Sequence, residues 1–335
     1  MFLMINHGRE KMKISVVIAA YNGAKFLAEQ LQSICEQTVM PYEVVICDDG
    51  STDGTVRVAE EAAAKYDGIK FNISVNPSPL GCDRNFERAI SLASGDVIYL
   101  ADQDDVWLAD RLEIMQNTLL SSPLPGAVFC DSRIVDSQLN DLGYTHWQSR
   151  GFENADAIFN DPASSFLKRV PAAGHDMAFS SSVREILLPF PQLDNCYDTW
   201  IGLVLFAIGA WRKPSDIPLT LFRRHTGSLS KSGKKTGIAG KLHEAKNAIA
   251  SDASGWYAQL YAELIARVEK SVTPEMLQLL EARRCHSLCR SQMNVPLAER
   301  LPLIWQETLN GNYFRFGRSF LNIAQDIFLR RSAKG

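Results

Sequence analysis

The sequence has few cysteines and none in a pairing pattern. It contains 7 cysteines in 335 residues, and no two of them form a Cys-x-x-Cys pair. Small secreted domains that depend on disulfides are much richer in cysteine, and zinc sites commonly use closely spaced pairs. We therefore expect reduced thiols in a cytosolic protein.

Long hydrophobic runs are also missing. The longest strongly apolar run, Trp200 to Trp211, has 12 residues, whereas a membrane-spanning helix needs about 20. The apolar run Met1 to Ile5 is too short for a signal peptide and is broken at Asn6. We expect neither secretion nor a spanning segment, and a cytoplasmic location that leaves room for peripheral contact with the inner face of the cytoplasmic membrane.

Two phosphate-binding fingerprints are absent. Neither GxGxxG nor GxxxxGK[ST] occurs in the chain. In the enzymes that carry them, these glycine-rich turns let backbone N–H groups approach phosphates closely. Their absence argues against a Rossmann dehydrogenase and against a P-loop NTPase.

Negative charge is concentrated in the first two thirds of the chain. Residues 1–230 carry 19 Lys and Arg against 29 Asp and Glu, a net −10, and residues 231–335 carry 16 against 9, a net +7. A basic tail on an acidic body indicates either contact with an anionic surface or a solvated helical face. The composition leaves both alternatives open.

Apolar runs alternate with helical patterns through the first hundred residues. Short β-branched runs predict buried strands, and apolar residues three and four apart predict the helices between them. The predicted strands are Lys13–Ala20, Tyr42–Cys47, Ile69–Val75 and Asp96–Leu100. Short connections of this kind are typical of βαβ units, so we expect an α/β fold with a mostly parallel central sheet and helices on both faces.

Polar turns follow three of these strands. They are Tyr21-Asn22, Asp48-Asp49 and Ala101-Asp102-Gln103-Asp104-Asp105. Parallel sheets bind ligands at the carboxyl ends of their strands, where these turns meet. Clustered carboxylates repel one another, and a divalent cation relieves the repulsion; oxygen ligands favour Mg²⁺ or Mn²⁺.

Together these turns resemble the ordered motifs of family 2 glycosyltransferases, which use nucleotide-diphosphate sugars. The resemblance rests on three segments, Ala20-Tyr21-Asn22-Gly23, Cys47-Asp48-Asp49-Gly50-Ser51-Thr52-Asp53 and Asp102-Gln103-Asp104-Asp105-Val106-Trp107. It covers about residues 13–230 and implies the GT-A fold. The form Asp-Gln-Asp-Asp-x-Trp is most similar to the rhamnosyltransferase-like branch that builds bacterial surface polysaccharides.

The resemblance implies a nucleotide site at the first two turns. It places Ala20, Tyr21 and Asn22 against the nucleobase and Asp48 on the imide N–H of the base. A carboxylate there suits uracil or thymine and disfavours cytosine, which lacks that donor. Asp49 is predicted either to bind nucleotide or to stabilise the turn.

Further donor residues follow from the same resemblance. Asn85 is expected to line the nucleotide pocket and Asp102 to lie near the ribose. Asp104 is expected to bind the metal that bridges the diphosphate, with Asp105 as a supporting residue.

The later motifs predict the acceptor side and the base. His175 and Asp176 resemble a segment that lines the sugar and acceptor pocket; His175 could instead be a buried, hydrogen-bonded histidine. Asp198 corresponds to the catalytic base, with helix capping as the structural alternative. Arg223 and His225 resemble a turn that closes over the diphosphate, with His225 reaching the metal.

The predicted organisation has two parts. Residues 1–230 form the catalytic domain, with a nucleotide half at about 13–110 and an acceptor half at about 111–230. Residues 231–335 form a helical extension, which is expected to bind a membrane surface, to pack on the body or to form a homodimer. The apolar stripe of this extension includes Phe316, Phe320, Ile323 and Ile327.

The predicted function is an inverting, metal-dependent glycosyltransferase. It would move a sugar, with rhamnose one candidate, from a dTDP- or UDP-sugar to a saccharide or lipid-linked saccharide. The main alternative is a non-catalytic nucleotide-sugar-binding subunit of a polysaccharide assembly complex. A metal-dependent nucleotidyltransferase is disfavoured because residues 20–25 lack an Arg- or Lys-bearing glycine-rich loop. Nothing in the sequence suggests a nucleic-acid partner.

Overall fold

A computed structural model describes residues 12–123, 125–227, 253–317 and 320–328. The described chain divides into two compact units. The first contains residues up to Gly143 together with Gly174–Leu188 and Pro214–His225. The second contains Tyr144–Ala173, Pro189–Lys213 and the described residues from Thr226 onward. The predicted boundary near residue 230 falls outside the described residues and stays a prediction.

A six-stranded sheet forms the centre of the first unit. Its strands are β1 (Ile14–Ala20), β2 (Glu43–Asp48), β3 (Lys70–Val75), β4 (Val97–Ala101), β6 (Ala127–Phe129) and β9 (Met177–Ser180). Their order is β3-β2-β1-β4-β9-β6. The first four strands in this order are parallel, whereas β9 pairs antiparallel with both β4 and β6. The mixed α/β fold with a mostly parallel sheet is therefore confirmed.

Helices connect the parallel strands. They are α1 (Ala24–Cys35), α2 (Thr55–Lys65), α3 (Cys82–Leu92) and α4 (Arg111–Leu120), with the short α8 (Arg184–Leu187) later in the unit. The apolar residues Leu27, Leu31 and Ile34 of α1 are fully buried in the same core as Val16 and Ile18 of β1. This burial confirms the predicted core face of α1, because residues three and four apart share one side of a helix.

A second, four-stranded sheet has the order β5-β10-β7-β8. Its strands are β5 (Val106–Trp107), β7 (Asp131–Val135), β8 (Asp141–Thr145) and β10 (Pro218–Arg223). The continuous run Gly126–Asp131 is divided between β6 and β7, which belong to different sheets. Strand β10 pairs with β5, directly after the acidic turn, and so brings Arg223 to that turn.

The second unit is helical. Its helices are α5 (His146–Arg150), α6 (Ala155–Phe159), α7 (Pro162–Lys168), α9 (Tyr197–Ala207), α10 (Ala253–Val268), α11 (Pro274–Ser291), α12 (Leu297–Leu309), α13 (Asn312–Phe316) and α14 (Phe320–Phe328). Gly311, at φ +71°, occupies the left-handed region between α12 and α13. Among the described helices, none is long and apolar enough to cross a membrane.

Candidate nucleotide and metal site

The turns after β1, β2 and β4 meet at one edge of the central sheet. Ala20, the last residue of β1, pairs with Asp48, the last residue of β2. On the other side of β1, Ile18 pairs with Ala101 at the end of β4. Since β1 lies between β2 and β4, the strand order changes direction here, and a crevice at such a point is the usual ligand site of an open parallel sheet.

Gln103 joins the first turn to the acidic turn. Its side-chain Oε1 accepts a hydrogen bond from the Tyr21 N–H at 2.9 Å, and its Nε2 donates to the Tyr21 carbonyl at 2.9 Å. The amide thus pairs with Tyr21 as a neighbouring strand would. Gly23 makes room for it, because a Cβ at Gly23 would lie 2.1 Å from Gln103 Oε1. The Tyr21 side chain remains 55% exposed.

The turn after β2 supports helix α1. Three of its side chains accept hydrogen bonds from backbone N–H groups. The Asn22 N–H donates to Ser51 Oγ at 2.8 Å and the Gly23 N–H to Thr55 Oγ1 at 2.8 Å. The Ala24 N–H donates to Asp53 Oδ2 at 3.0 Å. Helix α2, which follows this turn, begins after Gly54, which has no side-chain cap. These bonds satisfy backbone donors at the start of α1 that have no partner within the helix.

Asn22 is a structural residue of these turns. It adopts a left-handed conformation at φ +47°, and its Oδ1 accepts from the Thr52 N–H at 2.9 Å. Asparagine tolerates this region better than most residues. A contact between Asn22 and a nucleobase stays a prediction.

Asp48 has one carboxylate oxygen engaged and one open. Its Oδ2 accepts from the N–H groups of Gly50 and Ser51 at 3.1 and 2.8 Å. Its Oδ1 is buried and has no hydrogen-bond donor among the described residues. Because a buried acceptor without a partner is costly, the open oxygen indicates a place for a ligand donor.

Asp49 supports the following turn. Its Oδ1 accepts from Asn76 Nδ2 at 2.8 Å and from the Leu80 N–H at 2.7 Å, and its Oδ2 accepts from the Gly81 N–H at 2.9 Å. In the structure, Asp49 therefore stabilises the turn, which is one of the two roles predicted for it. Its direct contact with nucleotide stays a prediction.

Asn85 also makes structural contacts. Its Nδ2 donates to the Cys47 carbonyl at 2.8 Å, and its Oδ1 accepts from Asn76 Nδ2 at 2.9 Å. Asn85 is 2% exposed, so it shapes the floor of the crevice beneath the ends of β1 and β2.

Asp102, Asp105 and His175 form the candidate metal site. One ligand atom from each lies within 4.8 Å of the others. Asp105 is fully buried; its Oδ1 accepts from the Arg223 N–H at 3.0 Å, while its Oδ2 has no donor among the described residues. Two carboxylates and one imidazole suit a divalent cation that prefers oxygen ligands.

The electrostatics of the cluster agree with a cation site. Burial raises the pKa of Asp105 well above its usual range, and the charges of Asp104 and Asp102 add to this, against the opposing effect of His175. Burial also raises the pKa of Asp104, as does the charge of Asp102. Burial lowers the pKa of His175, but the carboxylates of Asp176, Asp105 and Asp102 outweigh it and raise that pKa well above its usual value. A positive charge would therefore stabilise the ionised carboxylates.

Asp104 and His225, the predicted metal ligands, contact each other directly. His225 Nε2 lies 2.8 Å from Asp104 Oδ2. The imidazole packs against Phe26 of α1 with ring centroids 4.7 Å apart. The triad nevertheless includes Asp105, predicted as support, and His175, predicted as an acceptor residue, so the candidate ligand set is larger than the sequence indicates.

Arg223 is buried and engaged with protein. Its Nε donates to the Asp104 carbonyl at 2.8 Å and its Nη1 to the Ser137 carbonyl at 2.9 Å, while Nη2 bonds Glu29 Oε2. All three guanidinium nitrogens thus have protein acceptors. Arg223 is 3% exposed and holds the acidic turn in place, and its closure over a diphosphate stays a prediction.

Asp176 supports His175 from beneath. It is fully buried, accepts from Thr220 Oγ1 at 2.9 Å and from Ser132 Oγ, and lies 3.5 Å from Arg111 Nη1. Arg111 also donates to the His175 carbonyl at 2.7 Å. Its oxygens accept from these buried groups, and the contact of Asp176 with a sugar hydroxyl stays a prediction.

His175 itself lies at the triad. It is 4% exposed and stacks on Phe222 with ring centroids 4.5 Å apart. Its Nδ1 lies 3.5 Å from Asp102 Oδ2, and its Nε2 lies 3.1 Å from Asp176 Oδ2.

Asp198, the predicted base, belongs to the second unit. It is the second residue of α9, and its Oδ1 accepts from the Thr199 N–H at 2.6 Å. It is not the N-cap residue, which is Cys196. The assignment of Asp198 as base stays a prediction.

Three supporting residues of this site escape sequence reasoning. The position of Gln103 inside the acidic motif could have indicated a role for it. The carboxylates on either side were interpreted as ligands, and the amide between them was not assigned a role. Glu29 and Arg111 have no local signal, because their partners Arg223 and Asp176 are distant in the chain.

Comparison with known proteins identifies the family. Residues 15–182 match the model of glycosyl transferase family 2. The chain is similar to the putative glycosyltransferase EpsE of Bacillus subtilis, with 40% identity over 102 residues, which are 30% of this chain and 36% of EpsE. It is also similar to the amylovoran biosynthesis glycosyltransferase AmsB of Erwinia amylovora, with 34% identity over 130 residues, 38% of this chain and 42% of AmsB. The chain thus covers well under half of either relative.

A solved structure agrees on the fold. The mannosyltransferase PcManGT of Pyrobaculum calidifontis, solved with GDP-Man and Mn²⁺, has a TM-score of 0.53 at 20% identity. The similarity covers 95% of this chain and 85% of that protein. The architecture is thus that of the GT-A glycosyltransferases. With the family model matching half of its length, this chain belongs to glycosyl transferase family 2.

Proposed function

We propose that this chain transfers a sugar from a UDP- or dTDP-linked donor to a saccharide hydroxyl, with the help of Mg²⁺ or Mn²⁺. One observation carries the proposal. The open Asp48 oxygen and the Asp102, Asp105 and His175 triad stand at the ends of β2 and β4 and beside β9, at one edge of the sheet. A nucleotide diphosphate needs both a base contact and charge neutralisation, and this edge supplies both.

The base contact falls on Asp48. A carboxylate only accepts hydrogen bonds, so its open Oδ1 pairs with an N–H on the edge of the base. Uracil and thymine offer such an imide N–H, and cytosine does not. Guanine also offers a ring N–H, so Asp48 excludes cytosine more sharply than it excludes guanine.

The triad residues Asp102, Asp105 and His175 would hold the cation, with Asp104 and His225 beside them. When bound, the cation supplies positive charge that stabilises the leaving diphosphate. The protein positions this group through Arg223, which holds Asp104 and Asp105 by hydrogen bonds to the Asp104 carbonyl and the Asp105 carboxylate. Arg111 and Asp176 hold His175 from the opposite side.

Asp198 is the proposed base that removes the proton of the acceptor hydroxyl. A single displacement with such a base inverts the anomeric carbon. Support comes from family membership and from the position of the carboxylate beside the N-terminus of α9, where helix dipole and N–H groups favour the ionised form.

The printed name of one relative supports the proposed acceptor class. AmsB is named for amylovoran biosynthesis, and we propose that this chain likewise acts on a saccharide or a lipid-linked saccharide in bacterial surface polysaccharide synthesis. Rhamnose remains one candidate for the transferred sugar, on the form of the Asp-Gln-Asp-Asp-x-Trp motif.

The proposal is tested by donor binding with Asp48→Asn. The asparagine oxygen can still accept from Gly50 and Ser51, while its NH₂ replaces the open acceptor with a donor. We expect thermal shifts of the wild type with Mn²⁺ and UDP- or dTDP-sugars, weaker shifts with GDP-sugars and none with CDP-sugars. The variant should lose the UDP and dTDP shifts and keep the melting temperature of the protein alone.

Asp67→Asn is the matched control, because Asp67 is an exposed aspartate of the same unit. It should respond to donors like the wild type. Equal UDP-sugar binding by the Asp48 variant, or no response of the wild type to any nucleotide sugar, would contradict the proposed site.

A further inference from the structure

Helix α12 buries charge and exposes apolar residues. Arg300, Ile304 and Glu307 form its buried side. The opposite side carries Leu301, Trp305 and Leu309, which are 45%, 66% and 69% exposed. Residues four apart share a helix face, so these three form one continuous row.

The buried charged residues of α12 make hydrogen bonds within its own unit. Arg300 donates to the Val295 carbonyl at 2.7 Å and to the Ile327 carbonyl at 3.1 Å. Glu307 accepts from Asn312 Nδ2 at 3.0 Å and pairs with His286. The orientation of α12 is thus fixed by specific contacts on the charged side, although a water-soluble helix normally turns this side outward.

Helix α14 repeats the inversion. Asp326 is fully buried, with Arg290 Nε and Tyr313 Oη each 2.7 Å from its Oδ2. Phe320, Leu321 and Phe328 are 74%, 65% and 78% exposed. Helices α12 and α14 therefore both bury charged residues and present large apolar side chains outward.

The two exposed rows belong to helices that pack on one small core. Ile304 of α12 and Ile323 and Ile327 of α14 pack into the same small core, so both helices lie against it and turn their other sides away. Phe314 of α13 contacts Phe320 edge-on, with ring centroids 5.3 Å apart. We define the outer apolar face as Leu301, Trp305, Leu309, Phe320, Leu321 and Phe328. Scattered exposed apolar residues are ordinary, but a grouped set marks an interaction site.

The sequence of this part of the chain is rich in positive charge. Residues 310–335 contain Arg315, Arg318, Arg330, Arg331 and Lys334 against the single acid Asp326, which is buried and paired. Among the described residues of α12, α13 and α14, Glu299 is the one exposed carboxylate. A helical segment that is rich in arginine and lysine in its sequence and carries tryptophan and phenylalanine on an apolar face is typical of helices that lie in a membrane interface.

We propose that the outer apolar face binds the surface of an anionic lipid bilayer. A second copy of the chain fits less well, because a two-fold interface would place each positively charged segment against its own copy. Anionic headgroups would instead neutralise those charges while the apolar side chains enter the acyl boundary. This inference is independent of the transfer chemistry and places no demand on the donor or the acceptor.

The test is flotation of the full chain with vesicles of phosphatidylcholine alone or mixed with phosphatidylglycerol. We expect binding to the mixed vesicles, little binding to the neutral ones, and release by salt. The triple variant Trp305→Gln, Leu309→Gln, Phe320→Gln should bind the mixed vesicles more weakly by about tenfold or more. Ile217→Gln is the matched control, since Ile217 is 54% exposed on the first unit, and it should bind like the wild type.

Tryptophan fluorescence provides a second readout. Trp305 is 66% exposed, whereas Trp107, Trp147, Trp200 and Trp211 are at most 9% exposed. Mixed vesicles should therefore shift the emission of the wild type to shorter wavelength. Trp305→Phe should lose most of this shift and retain flotation, because the side chain stays apolar.

Light scattering of the protein without vesicles separates the alternatives. Absence of flotation with mixed vesicles would overturn the proposal, and so would equal flotation of the triple variant. If the wild type does not float but forms a dimer, and the triple variant does not form that dimer, the face would be assigned to a second copy of the chain. Circular dichroism of the triple variant should match the wild type, since the substituted side chains are exposed.

Discussion

At the scale of single residues, the site depends on side chains that hold backbone turns. Gln103 forms two hydrogen bonds with Tyr21, and the Asp49 carboxylate holds the turn that contains Leu80 and Gly81. These polar groups leave the open Asp48 oxygen in a fixed position. The recognition residue is thus positioned by neighbours that need not touch the ligand.

We predict that Gly23→Ala and Gln103→Ala weaken donor binding through the same contact. In Gly23→Ala the new Cβ would lie 2.1 Å from Gln103 Oε1, so the Gln103 side chain must move away from Tyr21. In Gln103→Ala the same contact is removed directly. Each change should cost about 1 kcal/mol of folding free energy for the lost hydrogen bonds. Because the two changes remove one interaction, their effects should not add in the double variant.

Donor titration calorimetry and urea unfolding measure this double-mutant cycle. Gln32→Ala is the control, since Gln32 is an exposed glutamine of α1 whose side chain bonds Glu36. Additive effects of Gly23→Ala and Gln103→Ala would show that Gly23 does not act through Gln103.

At the scale of elements, close packing and buried charge position the helices of the second unit. Gly202 of α9 lies against Val170, and a Cβ there would be 2.3 Å from Val170 Cγ1. His286 of α11 contacts Glu307 of α12. Each contact yields a stability prediction.

Gly202→Ala should destabilise the protein by about 1–3 kcal/mol, because the added methyl group overpacks a buried contact. Val170→Ala should relieve the overlap, so the double variant should lose less stability than the sum of the two single variants. Urea unfolding of the four proteins measures this coupling. Losses that simply add would mean that the destabilisation by Gly202→Ala does not come from its contact with Val170.

Stability should fall as the pH drops below about 6.5, because His286 is buried in its neutral form. Burial lowers the pKa of His286, and Arg283 and Arg290 add to the effect against the opposing Glu307. As the pH falls, His286 is protonated in the unfolded chain before it is protonated in the folded chain. The folding stability that His286 contributes is therefore present above pH 6.5 and is lost as the pH falls toward its pKa in the folded state. The pKa of Glu307 is also lowered. Burial raises this pKa, but the hydrogen bond from His286 outweighs burial. The stability that Glu307 contributes is therefore lost only below its usual pKa of 4.5.

Urea unfolding at pH 7.5, 6.5 and 5.5 checks this prediction. His286→Gln retains a donor for Glu307 but cannot titrate, so its stability should change less over this range. Gln292→Ala, a change at an exposed position near the end of the same helix, should keep the wild-type pH dependence. A wild type whose stability is constant from pH 7.5 to 5.5 would contradict the assignment.

The strands of the first unit could be predicted from the sequence, and the orientation of the last helices could not. Buried parallel strands have apolar runs that end at turns, as in Ile14–Ala20 and Val97–Ala101. Periodicity in contrast distinguishes two faces of a helix without saying which one meets the core. Phe316 and Phe320 fit one predicted stripe, yet Phe316 is 2% exposed and Phe320 is 74% exposed, because Gly317 separates two helices.

The site was predictable where its chemistry is local. Asp48, Asp102 and Asp104 follow strands directly, so the sequence brings them to one edge. The resemblance to family motifs assigned Arg223 and Asp176 to ligand contacts. Their partners, such as Glu29 and Arg111, lie far along the chain, and only tertiary structure shows that these charges are already paired.

At the scale of the whole molecule, the proposed functions are divided between the two units. Donor recognition belongs to the first unit, which carries Asp48 and the metal triad. Asp198 and the outer apolar face belong to the second. This division predicts that donor binding and turnover can be lost separately.

Turnover and donor affinity of Asp198→Asn test the central claim most directly. Both measurements use Mn²⁺ and the donor that gives the largest thermal shift. Turnover is measured as sugar transfer to a panel of saccharides and to water, and affinity is measured as the donor Kd. Asp194→Asn is the control, since Asp194 is exposed and lies four residues earlier. The account predicts that Asp198→Asn lowers turnover by about 10²–10⁴-fold, the usual contribution of a general base, with an unchanged Kd. Turnover near the wild-type rate, or a loss of donor affinity as large as the loss of turnover, would contradict it.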